Sequence, residues 1–528
     1  MMISPADVSI LDLNSEYLGI EVSDLMGSAG SALADEILRR YDGKGTIAVV
    51  VGPGNNGGDS CVAARHLFKN GTEVKVILSF SPSKTRSQLA EKAYDDLPDE
   101  VSVHVMKSRD AEEEIRKELN GCAVIVDGLL GAGSSGAPRG KFAGMIRAMN
   151  SANALKVAVD SPTGLGYDDC FRADVTVTFH DVKEGMMIES KPLPECGEIS
   201  VKNIGIPIEA SVQVGPGDLL RYPKKAGYSK KGEVGRVLII GGGPFIGAPV
   251  LSAMGASRAG ADLIRLAVPG GIADAVSTFS TDLIVERLDT LDPYSLGPEV
   301  QKEIGELLDW SHCVLLGPGA GRSRSALYTL RSLFDLAVEK GKKIVVDADG
   351  LTALSEIGEP IRCSGSDVLL TPHRGELKRI IDAWYGGFDN YRPPEAQVHG
   401  IVKWEQGPID LVSKLVHDTG AVVLGKGPVD LIATGADHSL ADHISVSSSS
   451  GKLLVRYNRT GVPQMSVGGT GDILSGLCAG LMSLGMDPFD SGCLGSFICG
   501  EAGERTFSEI GHSLSASEML KRIRILSP

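Results

Sequence analysis

Short runs of apolar residues recur along the first part of the chain, and segments with helical spacing separate them. These runs are residues 46–51, 73–78, 123–126, 156–159 and 175–179. Strands that alternate with helices predict a parallel sheet with helices on both faces. Between residues 21 and 41 the apolar side chains lie close to helical spacing, which predicts an amphipathic helix packed on that sheet.

The pattern lapses between residues 205 and 218, and a basic, turn-rich stretch at 221–231 precedes a new apolar run at 236–240. Further runs follow at residues 263–268, 313–316, 343–346, 368–370 and 421–424. The sequence therefore predicts two α/β domains, at residues 1–215 and 216–528, each built on a parallel sheet.

Composition and net charge limit the number of domains and the kinds of partner that the chain can have. The chain has 528 residues, 42% of them apolar and 23% charged, which supports packed cores in more than one domain. A formal net charge of −15 leaves no broad basic field to attract phosphates, so we expect neither nucleic acid nor a membrane as a partner. No stretch approaches the roughly 20 apolar residues of a membrane span, and residues 1–15 lack the pattern of a signal peptide.

The nine cysteines have mostly apolar or glycine neighbours and include no Cys-x-x-Cys pair. Such cysteines predict buried free thiols in a reducing compartment rather than a disulfide or zinc framework. Since the first residues also lack a signal peptide, we expect a cytoplasmic protein.

A glycine-rich loop follows the first apolar run, with the sequence Gly-Pro-Gly-Asn-Asn-Gly-Gly-Asp from Gly52 to Asp59. Between a strand and a helix, such a loop lets backbone N–H groups approach an anion at the positive end of the helix. The oxygens of Asn55, Asn56 and Asp59 suit a ribose, an amide or a hard cation. Simple turn formation by asparagine and glycine is the alternative interpretation.

Two aspartates end later strands of the same predicted sheet. Asp127 precedes a run that contains Gly-Ala-Gly-Ser-Ser-Gly, and Asp160 opens the turn Asp-Ser-Pro-Thr-Gly. Ligands of open α/β sheets bind outside the carboxyl ends of the strands, so these acids and the first loop predict one shared site. Each aspartate could instead cap a helix.

These motifs, in this order, resemble the NAD(P)HX epimerase family, whose substrates NADHX and NADPHX are hydrates of NADH and NADPH. The resemblance implies that Asp160 lies at the reacting carbon, and that Asn56, Asp127 and Thr163 ligate a potassium ion. Threonine at 163 replaces the usual serine but keeps a hydroxyl, so we expect the cation site to persist. Contacts with the hydrated nucleotide are implied for Asn55, Asn56, Gly57, Gly58, Asp59, Gly131, Ala132, Gly133, Ser134, Ser135, Gly136, Ala137 and Asp160.

The second domain contains the run Val-Gly-Gly-Thr-Gly-Asp from Val467 to Asp472, followed by a helix of small residues. The N–H groups of residues 469–471 are predicted to hold a transferring phosphoryl group at a helix N-terminus. Asp472, in the first turn, is predicted to take the proton from an attacking hydroxyl. Anion stabilisation and a base are then adjacent.

This run resembles the anion hole and catalytic aspartate of ribokinase-like enzymes, and more narrowly the ADP- or ATP-dependent NAD(P)HX dehydratases. Supporting motifs include Gly-Pro-Gly-Ala-Gly at 317–321 and Thr-Pro-His-Arg-Gly-Glu at 371–376. Implied contacts with the hydrated nucleotide are Gly255, Gly321, His373 and Asp472. Implied contacts with the adenine nucleotide, which brings magnesium, are Lys426, Gly427, Pro428, Val429, Asp430 and Gly471. The run from Lys426 departs from the Lys-Gly-x-x-Thr of bacterial relatives, which leaves ADP or ATP open, with ADP favoured.

Together the resemblances imply a Rossmann-like αβα domain fused to a ribokinase-like αβα domain. The implied enzyme epimerises (R)- and (S)-NAD(P)HX and dehydrates the S epimer to NAD(P)H with ADP or ATP, in a homo-oligomer. The alternative is a ribokinase-like kinase of a small metabolite, fused to a non-catalytic nucleotide-binding scaffold.

Overall fold

A computed structural model describes residues 2–85, 87–107, 110–134, 136–223, 232–288, 298–356, 358–363, 367–387, 409–435, 445–448 and 451–526. The chain forms two compact units, Met1–Ala210 and Ser211–Pro528. Both units are α/β, and both sheets are wholly or largely parallel, which confirms the predicted fold class.

The first unit is a parallel sheet with helices on both faces. Its α-helices are α1 Pro5–Tyr17, α2 Val22–Arg40, α3 Asn55–Lys69, α4 Gln88–Asp95, α5 Ala111–Glu118, α6 Lys141–Ser151 and, across the boundary, α7 Ile208–Val212. Its strands are β1 Thr46–Val51, β2 Val74–Leu78, β3 Ser102–Val105, β4 Cys122–Gly128, β5 Leu155–Val159, β6 Val175–Phe179, β7 Met187–Ile188, β8 Lys191–Pro192 and β9 Glu198–Lys202. Short 3₁₀ helices lie at Pro82–Lys84 and Pro194–Cys196.

The seven-stranded sheet of this unit has the order β3-β2-β1-β4-β5-β6-β9, so the direction of winding reverses between β1 and β4. Residues 47–50 of β1 are completely buried. Leu33 and Ile37 of α2 are also fully buried and pack in the core on one face of this sheet. Because ligands of doubly wound sheets bind where the winding reverses, the loops that follow β1 and β4 are the expected site.

The second unit repeats the layered plan on a larger sheet. Its α-helices are α8 Gly247–Arg258, α9 Gly270–Ser277, α10 Pro298–Trp310, α11 Arg324–Glu339, α12 Asp349–Ser355, α13 Arg374–Tyr385, α14 Ile409–Thr419, α15 Thr470–Ser483, α16 Pro488–Ile510 and α17 Ala516–Arg522. Its strands are β10 Arg236–Ile240, β11 Leu263–Pro269, β12 Ile284–Leu288, β13 Cys313–Leu316, β14 Lys343–Val346, β15 Val368–Leu370, β16 Val422–Gly425, β17 Asp430–Gly435, β18 Ser445–Ser448 and β19 Gly451–Asn458. Short 3₁₀ helices lie at Pro216–Arg221, Pro463–Met465 and Gly511–Ser513.

This ten-stranded sheet has the order β12-β11-β10-β13-β14-β15-β16-β17-β19-β18. The strands from β12 to β16 are parallel, whereas β17, β18 and β19 pair antiparallel. Winding reverses between β10 and β13, and the carboxyl ends of β14, β15 and β16 lie along the same edge. The antiparallel strands are an addition that the apolar runs did not predict.

The thiols and the helices agree with the sequence analysis. All nine cysteines are free and buried, as predicted. None of the helices among the described residues is long and apolar enough to cross a membrane.

Candidate active sites

The loop after β1 lies against the loop after β4, and a glycine makes this approach possible. The N–H of Gly52 donates to the carbonyl of Gly128 at 3.0 Å. A Cβ atom added at Gly52 would lie 1.7 Å from the carbonyl oxygen of Leu129, so a larger residue would separate the two loops. The crevice at the winding reversal is therefore closed at its floor by backbone packing.

A cavity of about 410 Å³ opens above this floor. The predicted site residues that line it are Asn55, Asn56, Asp59, Gly131, Ala132, Gly133, Ser134 and Asp160. Gly57 and Gly58, in the same part of α3, do not line the cavity. Added Cβ atoms there would meet Gly52 O at 2.0 Å and the Met26 side chain at 2.7 Å. Gly136 and Ala137 are described but do not line this cavity, and Ser135 lies outside the described residues.

The three predicted potassium ligands lie around the loop after β4. Asp127 is completely buried, and it accepts hydrogen bonds from the Thr163 hydroxyl at 2.7 Å and the Thr163 N–H at 2.8 Å. Burial raises the pKa of Asp127 to about 6, although these hydrogen bonds oppose the shift. A Cβ atom added at Gly131 would lie 3.2 Å from Asn56 Oδ1, so the Asn56 amide packs on the same loop.

The buried Asp127 carboxyl is the feature here that fits a bound cation. The Asn56 Nδ2 atom is also buried without a hydrogen-bond partner, but this N–H donor suits an acceptor such as a substrate oxygen, and only Asn56 Oδ1 could ligate a cation. No lysine, arginine or histidine of the described residues forms an ion pair with the buried Asp127 carboxyl. Oxygen ligands with an uncompensated carboxylate suit a hard cation.

Asp160 forms an ion pair that sequence reasoning did not find. Lys183, only 2% exposed, places its Nζ 2.7 Å from Asp160 Oδ1. The same ammonium donates to the Phe179 carbonyl at 2.7 Å and to the Thr178 hydroxyl at 3.0 Å. Asp160 has a φ of 63°, a left-handed conformation that costs free energy in a non-glycine residue. The fold thus holds this carboxylate in one place at the cavity wall.

Other carboxyl groups line the cavity beside this pair. The pKa of Asp12, on α1, is raised to about 6 by burial and by the Asp160 carboxylate, against the opposing charge of Lys183. Burial and the carboxylates of Asp160 and Asp12 raise the pKa of Asp59 well above its ordinary value. The cavity therefore contains groups that can carry a proton near neutral pH.

The second site is assembled around the N-terminus of α15. Gly469, with a φ of 97°, is the cap residue, and Asp472 lies in the first turn. Lys426, which follows β16, places its Nζ 2.6 Å from Asp347 Oδ1 at the end of β14. A Cβ atom added at Gly471 would lie 3.3 Å from that Nζ, which locates the ammonium over the first turn of the helix.

The charges of this cluster shift its protonation. Burial, followed by the charge of Asp347, raises the pKa of Asp472 to about 7, while Lys426 opposes the shift. Burial likewise raises the pKa of Glu376 to about 7. Burial opposes the charged form of Lys426, but Asp347 and Glu376 raise its pKa above the ordinary value. A carboxyl group that titrates near neutral pH beside a permanent cation is typical of an acid–base site.

The remaining predicted residues surround this cluster. His373 is the cap residue of α13: its Nδ1 accepts from the Gly375 N–H at 3.0 Å, and its Nε2 lies 3.3 Å from Glu376 Oε1. Gly321 donates its N–H to Asp349 Oδ2 at 2.8 Å. Gly255 packs on α15, since an added Cβ atom would lie 2.5 Å from the carbonyl oxygen of Ile473.

The run from Lys426 to Asp430 forms the turn between β16 and β17. Asp430 accepts from the Gly427 N–H at 2.9 Å and from Asn458 Nδ2 at 3.1 Å. Its side chain therefore holds the turn in shape, and Gly427, Pro428 and Val429 lie between the two strands. Nucleotide contact by these residues remains a prediction.

Comparison with known proteins identifies the family. Residues 22–185 match the family model described as the YjeF-related protein N-terminus, and residues 237–524 match the NAD(P)H-hydrate dehydratase model. The bifunctional NAD(P)H-hydrate repair enzyme Nnr of Methanothermobacter thermautotrophicus is 38% identical, over 99% of this chain and 94% of its own length. The chain belongs to the bifunctional NAD(P)H-hydrate repair enzymes.

A second relative of this repair enzyme matches over a similar extent. The bifunctional NAD(P)H-hydrate repair enzyme Nnr of Hyperthermus butylicus is 34% identical, over 99% of this chain and 91% of its own length. A solved ADP/ATP-dependent NAD(P)H-hydrate dehydratase from Bacillus subtilis is 20% identical, with a TM-score of 0.43, and covers 59% of this chain and 96% of its own. The predicted bifunctional enzyme is confirmed by the family, and a metabolite kinase fused to a scaffold is not favoured.

Sequence reasoning gave no site role to three charged residues of the repair enzyme's two sites, although Asp347 belongs to a motif of the dehydratase resemblance. Lys183 follows β6 by four residues, and Asp347 directly follows β14. A charged residue after a strand that is wholly or largely buried was the available signal for both. Asp12 offers no such signal because it lies within a helix that precedes the sheet. Only the fold brings it to the cavity.

Proposed function

We propose that the first unit interconverts the two epimers of NAD(P)HX at Asp160, and that the second unit dehydrates the S epimer at Asp472. For the epimerase, the supporting observation is the buried Lys183 that holds the Asp160 carboxylate at the cavity wall, 2.7 Å away. For the dehydratase, it is Asp472 in the first turn of α15, beside Lys426 and Gly471.

Epimerisation inverts a carbon that carries a hydroxyl group and is bonded to the ring nitrogen. Protonation of the hydroxyl lets water leave, and the nitrogen lone pair forms a C=N double bond. Water then adds to the opposite face and gives up a proton, so the atoms balance and only the configuration changes. Asp160 supplies a carboxylate that takes or gives this proton, and Lys183 keeps it in position.

We propose that Asn56, Asp127 and Thr163 hold a potassium ion below the cavity. A bound ion would supply the positive charge that the buried Asp127 carboxyl lacks and would fix the loops after β1 and β4. The support is the missing ion pair at the buried Asp127 carboxyl in the described part of the chain, together with the packing of Asn56 Oδ1 on the same loop.

Potassium should therefore stabilise the first unit, since an ion that binds only the folded state raises the free energy of unfolding. At about 100 times its Kd, potassium should add about 2.7 kcal/mol over choline at the same ionic strength. Hydrogen exchange on peptides from β1 and β4 measures this effect, with peptides from β13 and β14 as the internal control. Thr163→Val should reduce it. Equal protection in both salts would contradict the potassium site.

For dehydration, we propose that Asp472 takes the proton of the substrate hydroxyl, whose oxygen attacks the terminal phosphoryl group of the nucleotide. Phosphate then leaves with the C–O electron pair, and a proton leaves the adjacent carbon to form the C=C bond of the dihydronicotinamide. The backbone N–H groups of residues 469–471 and the Lys426 ammonium stabilise the charge of the phosphoryl group. Magnesium would arrive bound to the nucleotide phosphates, and ADP is the favoured nucleotide.

This assignment predicts a pH dependence. Asp472 acts in its ionised form, and its pKa of about 7 means that this form is lost as the pH falls. The kcat/KM of dehydration should therefore rise about tenfold for each pH unit below 7 and level off above it. Stopped-flow absorbance of the regenerated dihydronicotinamide between pH 5.5 and pH 8.5 measures the profile. A flat profile across pH 7 would remove Asp472 as the base.

We further propose a cytoplasmic homo-oligomer. The buried free thiols support a reducing compartment. The homo-oligomer follows from the family resemblance alone, because the small-residue helices α15 and α16 are already buried within one chain. Light scattering after gel filtration measures the assembly directly.

A further inference from the structure

The first helix of the chain forms part of the wall of the epimerase cavity. Pro5, Val8, Ser9, Leu11 and Asp12 of α1 line it together with Asp160 and Lys183. These five residues precede residue 22, where the match to the family model begins. None of the predicted site residues lies on this helix.

Main-chain pairing fixes α1 to the segment that carries Lys183. The Ile3 N–H donates to the Val182 carbonyl at 2.7 Å, and the Glu184 N–H donates to the Ile3 carbonyl at 3.0 Å. At the other end of the helix, Asn14 Nδ2 donates to the Ala210 carbonyl at 3.3 Å. The position of Asp12 relative to the ion pair is therefore set by the fold.

Asp12 is the one acid of α1 that lines the cavity. The charged groups that face it are the Asp160 carboxylate and the Lys183 ammonium, while Asp59 on α3 and His180 also line the cavity. Lys183 is closely paired with Asp160, so its positive charge is largely used there. Asp12 is left as a partly buried carboxyl group beside a carboxylate.

We propose that Asp12 is the second proton-carrying group of epimerisation, serving the face of the substrate ring that Asp160 does not reach. The inference rests on the proposed epimerase function of the first unit. Inversion by loss and return of water needs an acid on one face and a base on the other. A single proton that is carried by either Asp12 or Asp160 supplies the acid and leaves the base, for conversion of R to S and of S to R alike.

Protonated Asp12 gives its proton to the hydroxyl, the C–O bond breaks, and water leaves as the ring nitrogen forms the C=N bond. A second water adds to the opposite face, and Asp160 takes the proton that it releases. Asp12 is then ionised and Asp160 protonated, which is the form that converts the product epimer back. Both forms contain one proton.

The experiment compares full-length wild type, Asp12→Asn, Asp12→Glu and Glu16→Gln, with each purified epimer of NADHX. Glu16 is the matched control, because it is an exposed acid on the same helix. Chromatographic separation of the epimers gives the epimerisation rate without nucleotide. Dehydration of the S epimer, measured on the same samples with nucleotide and magnesium, reports an intact second unit, and hydrogen exchange on peptides from β1 reports an intact first unit.

Asp12→Asn should lower the epimerisation rate about 10²–10⁴-fold and leave dehydration unchanged, while Glu16→Gln retains both rates. In wild type the rate should fall as the pH rises through about 6, because the shared proton is lost from Asp12. This fall in rate, the limb of the pH profile near pH 6, should be absent from the residual rate of Asp12→Asn. Asp12→Glu should retain the limb and recover part of the rate.

Epimerisation by Asp12→Asn within threefold of wild type, or with the same loss of rate above pH 6, would overturn the proposal. If Asp12→Asn unfolds the first unit, the Asp12→Glu variant is the test. The proposal is also overturned if Asp12→Glu protects β1 from hydrogen exchange as wild type does but its epimerisation rate shows no fall as the pH rises through about 6. A wild type that dehydrates but does not epimerise removes the function proposed for the first unit, which separates that failure from a failure of Asp12 alone.

Discussion

Asp472→Asn should reduce dehydration of the S epimer about 10²–10⁴-fold, because it removes the base from the attacking hydroxyl. The amide keeps the size of the side chain but cannot accept the proton at any pH. It also removes a carboxyl group next to Lys426, so nucleotide affinity should hold or rise. The rate at which dihydronicotinamide absorbance returns from purified S epimer, with saturating nucleotide and magnesium, measures the loss of dehydration activity.

The matched control for this substitution is Asp335→Asn, which changes an exposed acid on α11 that pairs with Arg331 at the surface. It should dehydrate at the wild-type rate. Epimerisation by the Asp472→Asn chain should also be unchanged, which shows that the first unit is folded, and unchanged hydrogen exchange on peptides from β13 and β14 shows the same for the second unit. Dehydration by Asp472→Asn within a few-fold of wild type would mean that the phosphoryl transfer uses another base.

Asp160→Asn should lower epimerisation by a similar factor, about 10²–10⁴, and should also destabilise the first unit. The substitution leaves the Lys183 ammonium buried without its carboxylate, and breaking one partner of a buried pair costs about 3–5 kcal/mol. The exchange of R for S epimer, followed by chromatography, measures the rate. Hydrogen exchange on peptides from β5 and β6 measures the stability.

A double substitution separates the two effects of Asp160. Replacing both partners, as Asp160→Asn with Lys183→Met, removes the unpaired charge and should recover stability without recovering epimerisation. The control is Asp168→Asn, an exposed acid in the same loop, which should leave both quantities unchanged. Recovery of epimerisation in the double variant would show that Asp160 acts only as a structural partner of Lys183.

The apolar runs predicted the central strands because these are buried on both faces. The runs at 46–51, 236–240 and 343–346 coincide with β1, β10 and β14. The edge strands β3, β9 and β12 were not predicted, since an edge strand is partly exposed and mixes polar with apolar residues. The antiparallel strands β17, β18 and β19 were missed as well, and β18 lies at an edge.

Some residues of the candidate sites could be predicted from local sequence, and others depend on the fold. Asp127 and Asp160 could be predicted because each ends a buried parallel strand, and strand ends of one sheet share an edge. Local sequence could not predict the pairing of Asp160 with Lys183, which depends on the path of the chain after β6. The position of Asp12 at the cavity depends on the pairing of Ile3 with Lys183, a contact between residues far apart in sequence.

The most direct test of the two-site account is a single assay on a mixture of both NADHX epimers, with nucleotide, magnesium and potassium. Wild type should return all of the dihydronicotinamide absorbance, Asp160→Asn only the part due to the S epimer, and Asp472→Asn none. Mixing the purified Asp160→Asn protein with the purified Asp472→Asn protein should restore complete conversion, because each protein retains the site that the other lacks. Complete conversion by Asp160→Asn alone at the wild-type rate, or conversion of only one epimer by wild type, would contradict the account.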